Sequence, residues 1–282
     1  MNLKIGFVIL TWNSEKVIKA CLDSIFNMKK IISHVVVVDN GSNDETKSIL
    51  SSVTPNSNST FEVIFYSSNR GTTLTRNAGL KLLQQYEIDF YCILDSDTIV
   101  NEDCFNILST EMALHKEYGL IGPQMVTSKG LVQISARSFP TVMEKICKGI
   151  PVKSIQKIGE QMEIQCPGKE DKSSYPVDYL MSACWLIHPE ALSKTGHLDE
   201  KIFYAPEDAE YCIRMWKAGY QIAFCPKAEI IHEWQRLSKR KLFSKINWEH
   251  IKGLLYMFKK HRYLFTTKNL KSRFPELYGE RI

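Results

Sequence analysis

Val35-Val36-Val37-Val38-Asp39-Asn40-Gly41-Ser42 is an uninterrupted β-branched run followed by a cluster of turn formers. Four apolar residues without polar alternation make a strand buried on both faces, the pattern of a parallel sheet. Upstream, Ile5 to Leu10 has the same character, and Ser14 can cap a helix through Val17, Ile18, Cys21, Leu22 and Ile25. Downstream, Asn43 or Asp44 can open a helix, Phe61 to Tyr66 reads as a third strand and Thr72 to Gln85 as a helix. Phe90 to Leu94 is a fourth strand that runs straight into Asp95-Ser96-Asp97. Strands and helices alternating at this spacing predict right-handed crossovers and a Rossmann-like, mostly parallel α/β sheet flanked by helices.

The second half is less regular. Residues 137 to 176 mix Gly, Pro, Lys and Ser with little periodicity and read as a mobile loop or a substrate-facing insertion. Val177 to His188 reads as a buried strand or helix segment. A helix is predicted from Pro206 through Ala218, closed by Gly219, with short strands at Tyr220 to Phe224 and Glu229 to His232.

Composition bounds the answer. The chain has 282 residues, 44% hydrophobic and 24% charged, which supports a large core and excludes collagen-like or wholly disordered classes. No apolar run approaches the ~20 residues of a spanning helix, and Met1 opens no signal-peptide pattern. The expectation is therefore a cytoplasmic chain whose eight cysteines, none in a C-x-x-C pair, are reduced.

In an open parallel sheet, ligands bind beyond the carboxyl ends of the strands. Thr11, Trp12 and Asn13 follow the first strand, Asp39 the second, Asn69-Arg70-Gly71 the third, and Asp95 and Asp97 the fourth. Neither G-x-G-x-x-G, nor a P-loop, nor a G-x-S-x-G elbow is present, which argues against dinucleotide, P-loop and serine-hydrolase sites. Asp95 and Asp97, two residues apart at a strand end, can share a hard divalent cation with substrate phosphate; the plain alternative is a turn in which Asp97 caps the next helix. Asp39 either makes an Asx-turn with Gly41 or accepts hydrogen bonds from a nucleobase or ribose. Arg70 and Arg76 can face a diphosphate or simply lie at the surface. Glu207 and Asp208 stand at a helix start, which favours acidic residues in any case and also suits a general base. His232 is either structural or a metal ligand.

Together these motifs resemble the family 2 glycosyltransferases of the GT-A fold, and most closely the rhamnosyltransferase-like bacterial members that build surface polysaccharides. The resemblance rests on Val8 to Asn13, Val37 to Asp44, Asn69-Arg70-Gly71 with Arg76-Asn77-Ala78-Gly79, and Asp95-Ser96-Asp97 in the place of the D-x-D motif. Ser182-Ala183-Cys184, Glu207-Asp208 with Arg214 and Ala218-Gly219-Tyr220, and His232 complete it. It covers residues 3 to 236. It implies a catalytic domain over residues 1–236, with a nucleotide-binding half over about 1–100 and an acceptor half over about 101–236. It also implies that Thr11, Asn13 and Asp39 hold the nucleoside of a UDP- or dTDP-linked sugar, with Arg70 and Arg76 near the diphosphate. Asp95 would sit near ribose and metal, while Asp97 and His232 bind Mn2+ or Mg2+. Asp208, or less favourably Glu207, would deprotonate the acceptor. The implied reaction is inverting transfer of one sugar to a saccharide or polyprenyl-linked acceptor contacted by residues 137 to 180.

Two departures stand out: Pro206 precedes Glu207 where relatives often have Gly, and Q-x-x-R-W is replaced by His232-Glu233-Trp234-Gln235-Arg236, which argues against processive polymerisation. A sugar-phosphate nucleotidyltransferase would need a Gly-rich basic loop after the first strand, and Thr11-Trp12-Asn13-Ser14 is unlike one. A non-catalytic scaffold that kept the fold is the remaining alternative.

The net charge of +5 hides an asymmetry. Trp234 to Ile282 carries 13 Lys/Arg and 3 Asp/Glu, leaving 23 and 28 elsewhere: a tail of +10 on a body of −5. In the tail, residues 237–282, Trp248, Ile251, Leu254, Leu255 and Phe258 form one helical stripe flanked by Lys252, Lys259, Lys260 and Arg262. That composition suits a helix lying on an anionic membrane at the inner face of the cell, or one packing its stripe on the body. Nothing besides charge supports nucleic-acid binding.

Overall fold

A computed structural model describes residues 2–165, 173–233 and 245–274. The first half reads β1 (Leu3–Thr11), α1 (Ile18–Phe26), β2 (Ile31–Asp39), α2 (Thr46–Ser52), β3 (Ser59–Phe65), α3 (Thr72–Leu83) and β4 (Phe90–Asp95). The four strands are parallel in the order β3-β2-β1-β4, so every functional turn leaves the sheet at the same edge. Along β1, Phe7 and Ile9 face one core with α1, while Val8 faces another with α3. The continuous apolar runs are thus explained by helices on both faces.

Past β4 come β5 (Thr98–Ile99), α4 (Glu102–Leu114), β6 (Tyr118–Val126), β7 (Val132–Gln133), β8 (Ala136–Arg137), α5 (Val142–Gly149) and α6 (Lys153–Glu163). Then follow β9 (Tyr175–Val177), β10 (Tyr179–Leu180), β11 (Cys184–Ile187), α7 (Pro189–Thr195), α8 (Glu207–Lys217) and β12 (Gln221–His232). Here the sheet turns mixed: β11 runs antiparallel between β4 and β6, and β12 lies parallel to β6. β5 pairs with the end of β12, His232 opposite Thr98. That short ladder brings His232 to the Asp95–Asp97 turn, 135 positions away in the chain by sequence number.

Residues 137–165 are not the open loop that their composition suggested. They form β8 and the helix pair α5–α6. Met143 and Ile146, and Ile158 and Met162, do stand at helical spacing, a pattern masked by the surrounding Gly, Pro and Lys, and the apolar face they form is exposed. Their inner face is locked by ion pairs, Arg137 to Glu163 at 2.6 Å, and Lys148 to Glu163 at 2.7 Å and to Glu144 at 3.1 Å.

The tail contains α9 (Lys245–His261) and α10 (Lys268–Lys271). Its proposed apolar stripe is divided. Phe258 is buried and Leu254 packs on the body, together with Met257, Tyr263, Leu270 and Phe274. Trp248, Ile251 and Leu255 remain 60%, 48% and 61% exposed. The tail thus both packs and presents an apolar face. Residues 237–244 and 275–282 of it, like Trp234-Gln235-Arg236, lie outside the described residues. No described helix is long and apolar enough to cross a membrane.

Candidate active site

A cavity of about 340 Å³ opens where β1, β2 and β4 end. Asp95 closes β4 and Asp97 follows in the turn. Asp97 does not cap α4: Asn101 does, its side chain accepting from the Cys104 N–H at 2.8 Å. The Asp97 carboxylate is therefore free to meet His232, Nε2 to Oδ1 at 3.4 Å. One ligand atom from each of Asp95, Asp97 and His232 can be chosen so that all lie within 4.8 Å of one another.

His232 is held from behind by Gln133 on β7. The Gln133 Nε2 donates to the His232 backbone carbonyl at 2.8 Å, so its Oε1, 2.7 Å from Nδ1, must be the acceptor. Nδ1 therefore carries a proton and Nε2 is the nitrogen offered toward Asp97. Two carboxylates and one imidazole on the cavity wall make a donor set suited to Mn2+, and to Mg2+ completed by water and phosphate oxygens.

Arg76, on α3, is the hub of the other charges. It is 3% exposed and bonds Asp95 at 2.6 Å, Glu207 at 3.1 Å and the Ser182 hydroxyl at 2.8 Å. Burial raises the Asp95 carboxyl, and Arg76 opposes that rise. Glu207 is pushed up to about 8 by burial and by Asp208, against the pull of Arg76. Asp208 is raised by burial too, opposed by the Ala209 N–H that its Oδ1 accepts at 2.8 Å and by Arg137 and Lys145. In His232 burial works downward, but Asp97 outweighs it and holds the imidazolium above its ordinary range.

The cavity is lined by Arg76, Asp95, Asp97, Glu207, Asp208 and His232, so those six sequence-derived residues are brought together. Thr11, Asn13, Asp39 and Arg70 are not among its lining residues. Asp39 is fully buried and satisfied, accepting from the Thr11 hydroxyl at 3.1 Å, the Ser42 hydroxyl at 2.5 Å and the Ser42 N–H at 3.0 Å. Asn13 accepts from the Asn43 N–H at 2.9 Å, and the Arg70 guanidinium lies 5.1 Å from the Tyr66 ring centre. These residues order the loops beneath and beside the cavity. Trp12, Asn40 and Asn69 line it instead, as do Tyr204 and Ser182. Gln133 was missed because a lone Gln in a two-residue strand carries no signal until its ladder partner is known.

A Rossmann-like sheet with a carboxylate pair and an imidazole at its active edge defines a site able to hold a divalent cation beside phosphate. Residues 7–196 match the family described as Glycosyl transferase family 2, and residues 169–277 match one described as Glycosyltransferase (GlcNAc). The chain belongs to glycosyl transferase family 2. It is similar to the low-salt glycan biosynthesis hexosyltransferase Agl10 of Haloferax volcanii, 24% identical over 81% of this chain and 66% of that protein. It is also similar to the dTDP-rhamnosyl transferase RfbF of Shigella flexneri, 23% identical over 82% and 70%. Against the first of these the chain thus spans just under two thirds of its relative's length. Among solved structures, GalNAc-T7 with UDP, GalNAc and Mn2+ superposes with a TM-score of 0.68 at 15% identity, over 97% of this chain and 54% of that one. That likeness establishes the GT-A fold.

Proposed function

We propose that this protein transfers one sugar from a UDP- or dTDP-linked donor to a hydroxyl of a saccharide or lipid-linked saccharide in surface polysaccharide synthesis, with inversion. The observation that carries this reading is the meeting of Asp95, Asp97 and His232 with Asp208 in one cavity. The printed names of RfbF and of the GalNAc-T7 complex support pyrimidine nucleotide donors. Mn2+ or Mg2+ bound to Asp95, Asp97 and His232 would neutralise the charge that develops on the departing diphosphate. Trp12, Asn40 and Asn69 receive the nucleoside. Arg76 keeps Asp95 in place rather than gripping phosphate. Asp208 accepts the acceptor proton, because Glu207 is already bound to Arg76 and Ser182. A second cavity, about 460 Å³, shares Met181 with the first and is lined by Gln133, Ile134, Arg137 and Ile164, which suits an acceptor reaching Asp208 from that side.

The test is nucleoside-diphosphate release from a panel of donors with and without Mn2+. Metal-stimulated release from a UDP- or dTDP-sugar is expected; no release from any donor would sink the reading.

The tail belongs to the same picture. Trp248, Ile251 and Leu255 share one face of α9 with Lys252 and Lys259 by helical spacing, a surface for anionic lipid on the inner face of the cell membrane. Replacing all three apolar residues with Ser should release the protein from vesicles containing anionic lipid in a sedimentation assay. Equal sedimentation of variant and parent would remove the membrane from the proposal.

A further inference from the structure

We propose that α9 is a working part of the active site, and that Gly253 is the positioning residue through which it holds the loop that carries Asp208. The segment from Leu198 to Pro206 connects α7 to α8 and supplies Phe203, Tyr204 and Ala205 to the cavity wall. It leads directly into Glu207 and Asp208. Two elements grip it from different sides.

On one side is α3. The Thr72 N–H donates to the Phe203 carbonyl at 2.7 Å and the Thr73 hydroxyl to the Ile202 carbonyl at 2.6 Å. Asn77 bonds Leu198 in both directions, at 2.9 and 3.0 Å. A side chain at Gly71 would overlap the Phe203 carbonyl oxygen. On the other side is α9. A Cβ at Gly253 would overlap the Ala205 carbonyl oxygen and lie 3.0 Å from Pro206 Cδ. The helix is anchored there by polar bonds: Tyr256 to Asp199 at 2.7 Å, Lys260 to Asp199 at 2.5 Å and to Glu210 at 2.7 Å. Burial alone would raise the Asp199 carboxyl, but the bonds from Lys260 and Tyr256 outweigh it and hold it down at about 2.

The loop thus passes between two glycines, neither of which has room for a methyl group on the loop side. Backbone against backbone admits little slack, because any atom added at Gly253 must push either the whole helix or residues 205–206. Displacing 205–206 moves the start of α8, and with it the Asp208 carboxylate. None of the metal ligands lies on the displaced segment, since Asp95 closes β4, Asp97 follows it and His232 ends β12; only Asp95 is linked to it, indirectly, through Arg76 and Glu207. This inference rests on reading Asp208 as the acceptor base. It adds that α9, which lies beyond residue 236, sets that base's position.

The experiment compares Gly253→Ala and Gly253→Val, with Tyr256→Phe as a variant that removes one anchor and adds no bulk. Three quantities are read: kcat, Mn2+ affinity by direct titration, and amide exchange across residues 202–209. Expected are faster exchange in that segment, Mn2+ affinity changed far less than kcat, and kcat lower by about 10- to 100-fold in Gly253→Val, the cost of an ångström-scale misplacement. Unaltered exchange in a folded Gly253→Val would overturn the inference whether or not the protein transfers sugar. So would parent-like kcat, or a parallel loss of kcat, Mn2+ affinity and melting temperature in all three variants, which is the mark of general destabilisation.

Discussion

Asp208→Asn is expected to lower sugar transfer by about 10³-fold while leaving nucleotide and Mn2+ binding intact. The geometry makes this substitution unusually clean. Asp208 sits in the first turn of α8, and its Oδ1 accepts the Ala209 N–H at 2.8 Å, a bond an amide oxygen can keep. No metal-ligand atom in the Asp95, Asp97 and His232 group depends on it. What disappears is the lone pair that accepts a proton. Because burial holds the Asp208 carboxyl above its ordinary range, the parent rate should fall as pH drops through that raised value, where the group becomes protonated and cannot act as base. The Asn variant should lack this acid limb. kcat/KM against pH, measured together with nucleotide titration, checks both halves. Lost nucleotide binding in a folded Asp208→Asn, or an unchanged rate, would take the base role from Asp208.

The fold was largely legible because parallel strands buried on both faces announce themselves as apolar runs. Val35 to Val38 and Phe90 to Leu94 appear in the sheet as read, and the Asp95-Ser96-Asp97 turn falls at its active edge. The mixed half was less legible. β11 is four residues long and is placed by antiparallel neighbours on either side, a relation no local pattern encodes. The α5–α6 pair escaped because Gly, Pro and Lys around it read as loop, although Met143 with Ile146 and Ile158 with Met162 stand at helical spacing; which way that face points, outward with charged Glu144 buried behind it, is not encoded locally.

Within the site, residue type predicted membership better than role. Acidic and histidine positions converge as their chemistry suggested. Thr11 and Asp39, also polar at strand ends, spend their hydrogen bonds on each other and on Ser42. Arg76, read as facing a diphosphate, does line the cavity and there bonds Asp95 and Glu207. A sequence shows that a charge is present; only the fold shows what it faces.

That role for Arg76 makes a second large effect expected. Arg76→Met should destabilise the metal-free protein by about 3 kcal/mol, the low end of the cost of breaking a buried ion pair. Asp95, with a side chain 35% exposed, loses its counter-ion, and the more buried Glu207, 9% exposed, loses the same hydrogen-bond donor. Water can partly resolvate Asp95, which is why the low end applies; Glu207 has no such outlet and must hold its proton more tightly still. In a chain of 282 residues this corresponds to a fall in melting temperature of about 5 °C. Mn2+ should restore part of it, because a divalent cation on Asp95 and Asp97 replaces the positive charge that Asp95 has lost, and binding to the folded state alone adds stability by mass action. The recovery should be larger in Arg76→Met than in the parent. Thermal melts with and without Mn2+ read both effects. A loss below about 1 kcal/mol would mean that Asp95 and Glu207 do not depend on Arg76. Equal Mn2+ shifts in parent and variant would mean that the cation and the guanidinium do not compete for the same carboxylate.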